Sequence, residues 1–269
     1  MEHHIIQALE EDMLEVGDVT SMAIFSGEHD SFTLIAKEPG ILCGVAVAVE
    51  VLLEVDERIE CTFFRRDGER LESGMTVAEI SGPVAAILSA ERTMLNYLSH
   101  LSGIATKTAK YVEAAAPATI LDTRKTIPGL RHLQKYAVTC GGGRNHRMGL
   151  HDMVMIKDNH IDAAGGITAA VQRTRERWGE RFAIEVETRT LAEVREALEC
   201  GVQRIMLDNM PDELMSAAVA LVDGAVETEA SGNVTLERIP AIAATGVDFI
   251  SVGALTHTVT ALDFSLRKL

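Results

Sequence analysis

A chain of 269 residues, 47% apolar and 24% charged, is long enough for one large domain or a large and a small one around a substantial core. Its formal net charge of −15 excludes a general nucleic-acid binder, which spreads Lys and Arg over a face to replace phosphate counterions, and its apolar content excludes a disordered chain. The longest apolar stretch, residues 40–49, is about half of the roughly twenty residues a membrane helix needs.

In chain order, Ile5, Leu9 and Met13 recur every fourth residue, which predicts an amphipathic helix over residues 2–14, stopped by Gly17. The N-terminal MEHHIIQALEED carries acids where a signal peptide needs a basic region, so no export and a cytoplasmic setting are expected. SFTLIAK (31–37) alternates like a strand and ends at the Pro39-Gly40 turn. VAVAVEVLLEV (45–55) fits helix or strand by pattern, and its length favours a helix. RIECTFF (58–64), the Asp67-Gly68 turn and TVAEISG (76–82) predict two further strands, making the first eighty residues or so a small mixed α/β layer. The cysteines Cys43, Cys61, Cys140 and Cys200 form neither a CxxC pair nor a zinc-ligand spacing, and reduced thiols are the expectation.

From Ala85 to Ala115, Leu88, Met94, Leu95, Leu98 and Leu101 follow a helical period interrupted by Gly103. Arg92, four residues after Leu88 and three before Leu95, is expected on their apolar face. It is either a snorkelling arginine or one held by packing and aimed at an anion. Beyond Pro117 the texture changes to short apolar runs with polar ends: residues 118–125, 153–159, 182–188, 204–209, 224–232 and 248–257, with helical segments such as AEVREALECG between them. Alternation of this kind predicts β/α units and a parallel barrel, whose strand C-terminal ends carry the site. On that rule Arg124 and Lys125, Lys157, Glu187, Asp208, Ser231 with Gly232, and Gly253 converge.

One stretch stands out chemically. Between Thr123 and His151 there is no acidic residue, yet Arg124, Lys125, Arg131, Lys135, Arg144 and Arg147 lie there, with Gly141, Gly142 and Gly143 in a row. In an acidic chain this reads as a site for an anion, with glycines that let the backbone bend or approach a ligand. A structural salt bridge between Arg124 and Asp122 is the plainer alternative. His146, beside Arg147, is as readily a packing residue as a ligand contact, and His151 and His160 read as structural. Lys157 suits an electrostatic clamp or a Schiff-base nucleophile. Glu185 and Glu187 point to one side of their strand, and Glu187 with Asp208 supplies the carboxylate pair that magnesium takes beside a phosphate; an ordinary ion pair of these acids with Lys157 or Arg189 competes. ASGN (230–233) and SVG (251–253) offer backbone N–H groups at strand-to-helix turns, where phosphate binds.

Taken together, GDVT (17–20), ERTMLNYLSHLSGIAT (91–106), DTRKTIPGLR (122–131), KYAVTCGGGRNHRMGLHDMVMIKDNH (135–160), IEVET (184–188), LDN (207–209), EASGN (229–233) and SVGALTH (251–257) resemble the quinolinate phosphoribosyltransferase family, in its order and over nearly the whole chain. The resemblance implies an N-terminal α/β sandwich over residues 1–103, to which C-terminal residues can return, and an open, incomplete TIM-like parallel α/β barrel over residues 104–269. It implies transfer of phosphoribosyl from phosphoribosyl pyrophosphate to quinolinate with decarboxylation, a step of de novo NAD biosynthesis. It implies a homodimer in which Arg92 reaches the partner's site. Quinolinate would meet Arg92, Arg124, Lys125, His146, Arg147 and Lys157, and the 5-phosphate would lie near Ser231, Gly232 and Gly253. Lys125, Lys157, Glu187 and Asp208 would be the catalytic group, with magnesium at Glu187 and Asp208. Ile127 stands where the family often has Thr, and Asn233 where it often has a second Gly. A related molybdenum-transport-linked subfamily, a Schiff-base aldolase on a similar barrel and a non-catalytic anion sensor are the alternative readings.

Overall fold

The computed structural model describes residues 2–269, which divide into two compact units. The first takes the chain up to Ala109, returns for Ile127–Gly142 and again for Thr258–Leu269; the second holds Lys110–Thr126 and Gly143–His257. The boundary expected at residues 103 and 104 therefore falls inside a continuous helix, and two later segments belong with the N-terminal residues.

In the first unit, helix α1 (Glu2–Met13) and the short helix α2 (Val19–Ile24) precede strand β1 (His29–Ala36). Sequence periodicity gave no sign of α2. It starts because Asp18 caps it, its carboxylate accepting from the amides of Thr20 and Ser21 at 3.0 Å, so the GDVT stretch is a helix start. Strand β2 (Gly40–Ile41), helix α3 (Val45–Val55), and strands β3 (Glu60–Phe63), β4 (Arg70–Leu71) and β5 (Thr76–Pro83) follow. Residues 45–55 are helical throughout, burying Val47, Ala48, Val51 and Leu52. Gly44 has no side chain to cap α3, and Asp67 does so from the β3–β4 turn: its Oδ1 accepts from the amides of Gly44 and Val45 at 2.9 and 3.1 Å.

Helix α4 (Val84–Ala115) runs 32 residues without a break at Gly103. Glycine is needed there for space: a Cβ would lie 2.2 Å from the Thr260 carbonyl oxygen. The buried stripe of α4 is Ile87, Ala90, Met94, Leu95, Leu98 and Leu101, while Leu88 is only half-buried and Arg92 is exposed. Arg92 is two residues from both Ala90 and Met94, about 200° round the helix, and lies beside the buried Leu95 and the half-buried Leu88, so it stands at the edge of the apolar face and not within it. After strand β6 (Thr119–Leu121), helix α5 (Arg131–Cys140) returns to this unit. Late in the chain, strand β12 (Phe264–Lys268) pairs antiparallel with β1, giving a four-stranded sheet in the order β12-β1-β5-β3 beside the β2-β4 pair.

The second unit is built on β6, β7 (Val154–Ile156), β8 (Ile184–Thr188), β9 (Arg204–Asp208), β10 (Glu227–Ser231) and β11 (Phe249–Ser251). All are parallel, in the order β6-β11-β10-β9-β8-β7. Helices α6 (Asp158–Ala164), α7 (Ile167–Trp178), α8 (Leu191–Glu199), α9 (Asp212–Val222) and α10 (Ile239–Ala244) make the crossovers, and α11 (Ala254–His257) follows the last strand. The first strand pairs with the last, as in a barrel, yet β6 and β7 do not pair. Their connecting helix, α5, is spent in the other unit, which leaves the barrel open there. Arg144 partly fills the edge with a single parallel bridge to Leu121, its amide donating to Ile120 O at 2.8 Å. Ile120, Ile156, Ile184, Val186, Ile205, Leu207, Ala230 and Ile250 form the buried strand surface, against Val194, Ala197, Met215, Ala218 and Ile242 of the helices. Among the described residues no helix is long and apolar enough to cross a membrane.

Candidate active site

Every expected site residue except Arg92 lies in the second unit, and all of these but His146 and Arg147, which lie in the α5–β7 connection, are at or just beyond a strand's C-terminal end. Arg92 belongs to α4 in the first unit. The acid-free stretch is also divided: Arg124, Lys125, Arg144 and Arg147 are in the second unit, whereas Arg131 and the fully buried Lys135 lie on α5 in the first. One run of sequence thus serves two places.

Beyond β6, the buried Asp122 accepts the His146 amide at 2.9 Å, fastening the loop that carries Arg147 to the strand that carries Arg124. Burial, then the neighbouring Arg124 charge, lowers the Arg147 guanidinium's pKa. The Arg124 Nε is buried with no hydrogen-bond partner among the described residues, a cationic donor left unspent. Arg147 donates from one guanidinium nitrogen to the Met153 carbonyl at 3.3 Å. Lys125 is exposed, and its stem runs so close to Gly253 that a Cβ there would come within 2.9 Å of the lysine Cδ.

His146 is buried, with both ring nitrogens engaged by protein. Its Nδ1 accepts the Arg147 amide at 2.7 Å, and its Nε2 lies 3.1 Å from Glu185 and 3.3 Å from Glu229. Burial opposes the imidazolium, but the two carboxylates outweigh it and push the ring up to about 9. The Arg147 amide acts the other way, because a proton on Nδ1 would set donor against donor. In the neutral ring the hydrogen bond therefore selects the Nε2–H tautomer, with the proton between the two carboxylates. Burial and the Glu229 charge raise the Glu185 pKa; burial also acts to raise that of Glu229, but His146 and Arg204 bring it down. Arg204 completes the cluster, 3.1 Å from Glu229 and 2.8 Å from Glu227, with its guanidinium carbon 4.2 Å from the centre of the Phe249 ring.

Sequence reasoning named Glu185 but gave it no role, and it missed Glu229 and Arg204. The signal lies in strand register: Glu185 and Glu227 both pair with Arg204, placing a cation between two acidic strands. Glu187, two residues on, instead accepts the Lys157 ammonium at 2.9 Å, the ordinary ion pair that competed with a metal role. His160 accepts the Lys157 amide at 3.0 Å and so helps start α6, in line with its structural reading.

Asp208 and Ser231 are register neighbours at the ends of β9 and β10. A chain of amides joins their turns: Asn233 donates to Asn209 Oδ1 at 2.9 Å, and Asn209 donates to Asp208 at 2.8 Å. Asn209 and Asn233 both have positive φ, 52° and 49°, which asparagine tolerates. Asn233 therefore adopts the backbone conformation that a glycine favours. Gly232 is obligatory: at φ +90° a Cβ would meet the Asn209 side chain at 2.3 Å. Asn209 is the residue that the sequence reading quoted within LDN without giving it a role.

Comparison with known proteins agrees over the whole length. The model described as quinolinate phosphoribosyl transferase, N-terminal domain matches residues 18–102, and the corresponding C-terminal domain model matches residues 104–267. The chain is 50% identical over 280 residues to the chloroplastic carboxylating nicotinate-nucleotide pyrophosphorylase of Arabidopsis thaliana, covering 97% of this chain and 80% of that protein. It is 45% identical over 252 residues to the probable carboxylating nicotinate-nucleotide pyrophosphorylase of Bacillus subtilis, covering 93% and 87%. The crystal structure of NadC from Streptococcus pyogenes superposes with a TM-score of 0.96 at 41% identity, covering 100% of this chain and 96% of that one. The chain belongs to the quinolinate phosphoribosyltransferase family.

Proposed function

We propose that this chain transfers the phosphoribosyl group of phosphoribosyl pyrophosphate to quinolinate and releases carbon dioxide, yielding nicotinate mononucleotide and pyrophosphate. The observation that carries the reading is the half-buried pair Arg124 and Arg147, close enough for one charge to disfavour the other, with the Arg124 Nε unpartnered. Two such cations lower their mutual repulsion by accepting a dianion, and a pyridine dicarboxylate is one. His146 acts here through Arg147, holding its main chain while the Glu185–Glu229 pair holds the ring. Lys125 and Lys157 add positive charge at neighbouring strand ends, and the backbone N–H groups at Ser231, Gly232 and Gly253 suit the 5-phosphate.

Bringing two anions together is the first requirement, and the cations meet it by positioning and electrostatics. The pyridine nitrogen lone pair forms the bond to the anomeric carbon, and the carbon–oxygen bond to pyrophosphate breaks with its electron pair leaving on oxygen. In the second step the ring carbon loses carbon dioxide, keeps the electron pair beside the cationic nitrogen, and takes a proton. Glu187 and Asp208 fit magnesium as a two-carboxylate set at adjacent strand ends. No third Cys, His or carboxylate donor converges with them among the described residues, so substrate oxygens and water would complete the shell. When bound, magnesium neutralises charge on the departing pyrophosphate. The exposed Arg92 supports a homodimer in which it enters the partner's site, and four free cysteines fit a reducing, cytoplasmic setting.

The test is incubation with quinolinate, phosphoribosyl pyrophosphate and magnesium, following carbon dioxide and pyrophosphate together. Equal release of both is expected; release of neither sinks the proposal.

A further inference from the structure

The first unit contains a second concentration of chemistry that the transferase reading leaves unused. Cys43 lies between β2 and α3, Asp67 in the β3–β4 turn, and Cys140 at the end of α5. A sulfur from each cysteine and a carboxylate oxygen all lie within 4.8 Å of one another. Their sequence spacing gave no hint, because the two cysteines stand 97 positions apart. We propose that Cys43, Cys140 and Asp67 form a binding site for a thiophilic divalent cation, with zinc the natural occupant.

The donor set matches: two sulfurs and a carboxylate oxygen make three of the four tetrahedral positions, and water can take the fourth. Zinc–sulfur bonds of about 2.3 Å place two ligating sulfurs about 3.8 Å apart, so closure from a spacing within 4.8 Å asks for a movement of at most about 1 Å. The carboxylate is already oriented. The amides of Gly44 and Val45 hold Asp67 Oδ1, and the Tyr136 hydroxyl donates to Oδ2 at 2.9 Å, the kind of outer support that metal-ligating carboxylates receive. Cys43 is buried, whereas Cys140 and Tyr136 are partly exposed and give an ion a way in.

A disulfide is the competing chemistry for two neighbouring thiols. Cys140, burial and the Asp67 charge all favour the Cys43 thiol over the thiolate. The same contact acts the other way on Cys140, where the hydrogen bond from Cys43 lowers the thiol pKa against burial and the Asp67 charge. A divalent cation turns the same carboxylate from a repulsive neighbour into a ligand.

The experiment uses the reduced full-length protein, stripped of metal and titrated with zinc against a chromophoric chelator. One zinc per chain is expected, with proton release, and mass-spectrometric alkylation should show protection of Cys43 and Cys140 but not of Cys61 or Cys200. Tyr136→Phe, which removes only the outer support of the carboxylate, should weaken binding by ~10-fold, and Cys43→Ser, Cys140→Ser and Asp67→Asn, which remove ligands, by more than that. The footprint on wild-type protein serves even if a variant fails to fold. Unchanged alkylation of the two thiols at saturating zinc, or a Cys43–Cys140 disulfide recovered from zinc-treated protein, would overturn the site. Neither readout involves turnover, so the result is independent of the transferase proposal.

Discussion

At the scale of single residues, Arg147 shows how a side chain is readied for an anion before the anion arrives. Its amide is held by His146, one guanidinium nitrogen is held by a carbonyl, and its charge sits partly buried near that of Arg124. Little ordering remains to be paid for on binding, so most of a charged hydrogen bond, about 1.5–3 kcal/mol, should appear as affinity. Arg147→Ala is therefore expected to weaken quinolinate binding roughly ten- to a hundredfold, and a calorimetric titration with unchanged affinity would remove Arg147 from the site. The basic residues were legible in the sequence because charge of one sign in an acidic chain is a local signal. Glu229 and Arg204 were not. Their meaning depends on which residue lies across the sheet, and Glu185 and Glu187 look alike until register gives one to Arg204 and leaves the other to Lys157.

At the scale of elements, α4 separates two properties that sequence reading runs together. Periodicity correctly predicted a long helix, since the apolar residues repeat along it, but Gly103 read as an interruption when it is a contact. Helix propensity alone would make Gly103→Ala stabilising by about 1 kcal/mol. A methyl group 2.2 Å from the Thr260 oxygen must push backbone aside, and overpacking of this kind costs about 1–3 kcal/mol. The net expectation is a loss of stability, measurable as a lower urea midpoint; a raised midpoint would mean that residues 258–262 yield freely. The same limit explains Gly141, where a Cβ would lie 2.4 Å from the Ala105 oxygen: the glycine run looked like ligand-binding backbone, and its first member instead lets α5 lie against α4. Helices, strands and the parallel sheet were legible from patterns within each segment. The short α2, the β2-β4 pair and the meeting of Cys43 with Cys140 were not, because capping and long-range pairing create them.

At the scale of the whole molecule, Arg92 is the residue on which the proposed homodimer can be tested. It stands exposed on α4, at the edge of the stripe that buries Leu95. If it completes the partner's site, Arg92→Ala and Lys157→Ala homodimers should each be inactive, while mixed dimers regain activity at the one site with both residues intact. Mixed dimers verified by mass that recover none would confine each site to its own chain. A different consequence follows from β12, whose pairing with β1 makes it an edge strand of the first unit's sheet. During synthesis β1, β5 and β3 leave the ribosome early, but their fourth partner emerges only after the whole parallel sheet has been made. At cellular elongation rates that is a delay of roughly 10–30 s. For that interval the outer edge of β1 exposes unpaired amides and carbonyls, so the nascent chain is most vulnerable to chaperone capture or aggregation at its oldest sheet rather than its newest.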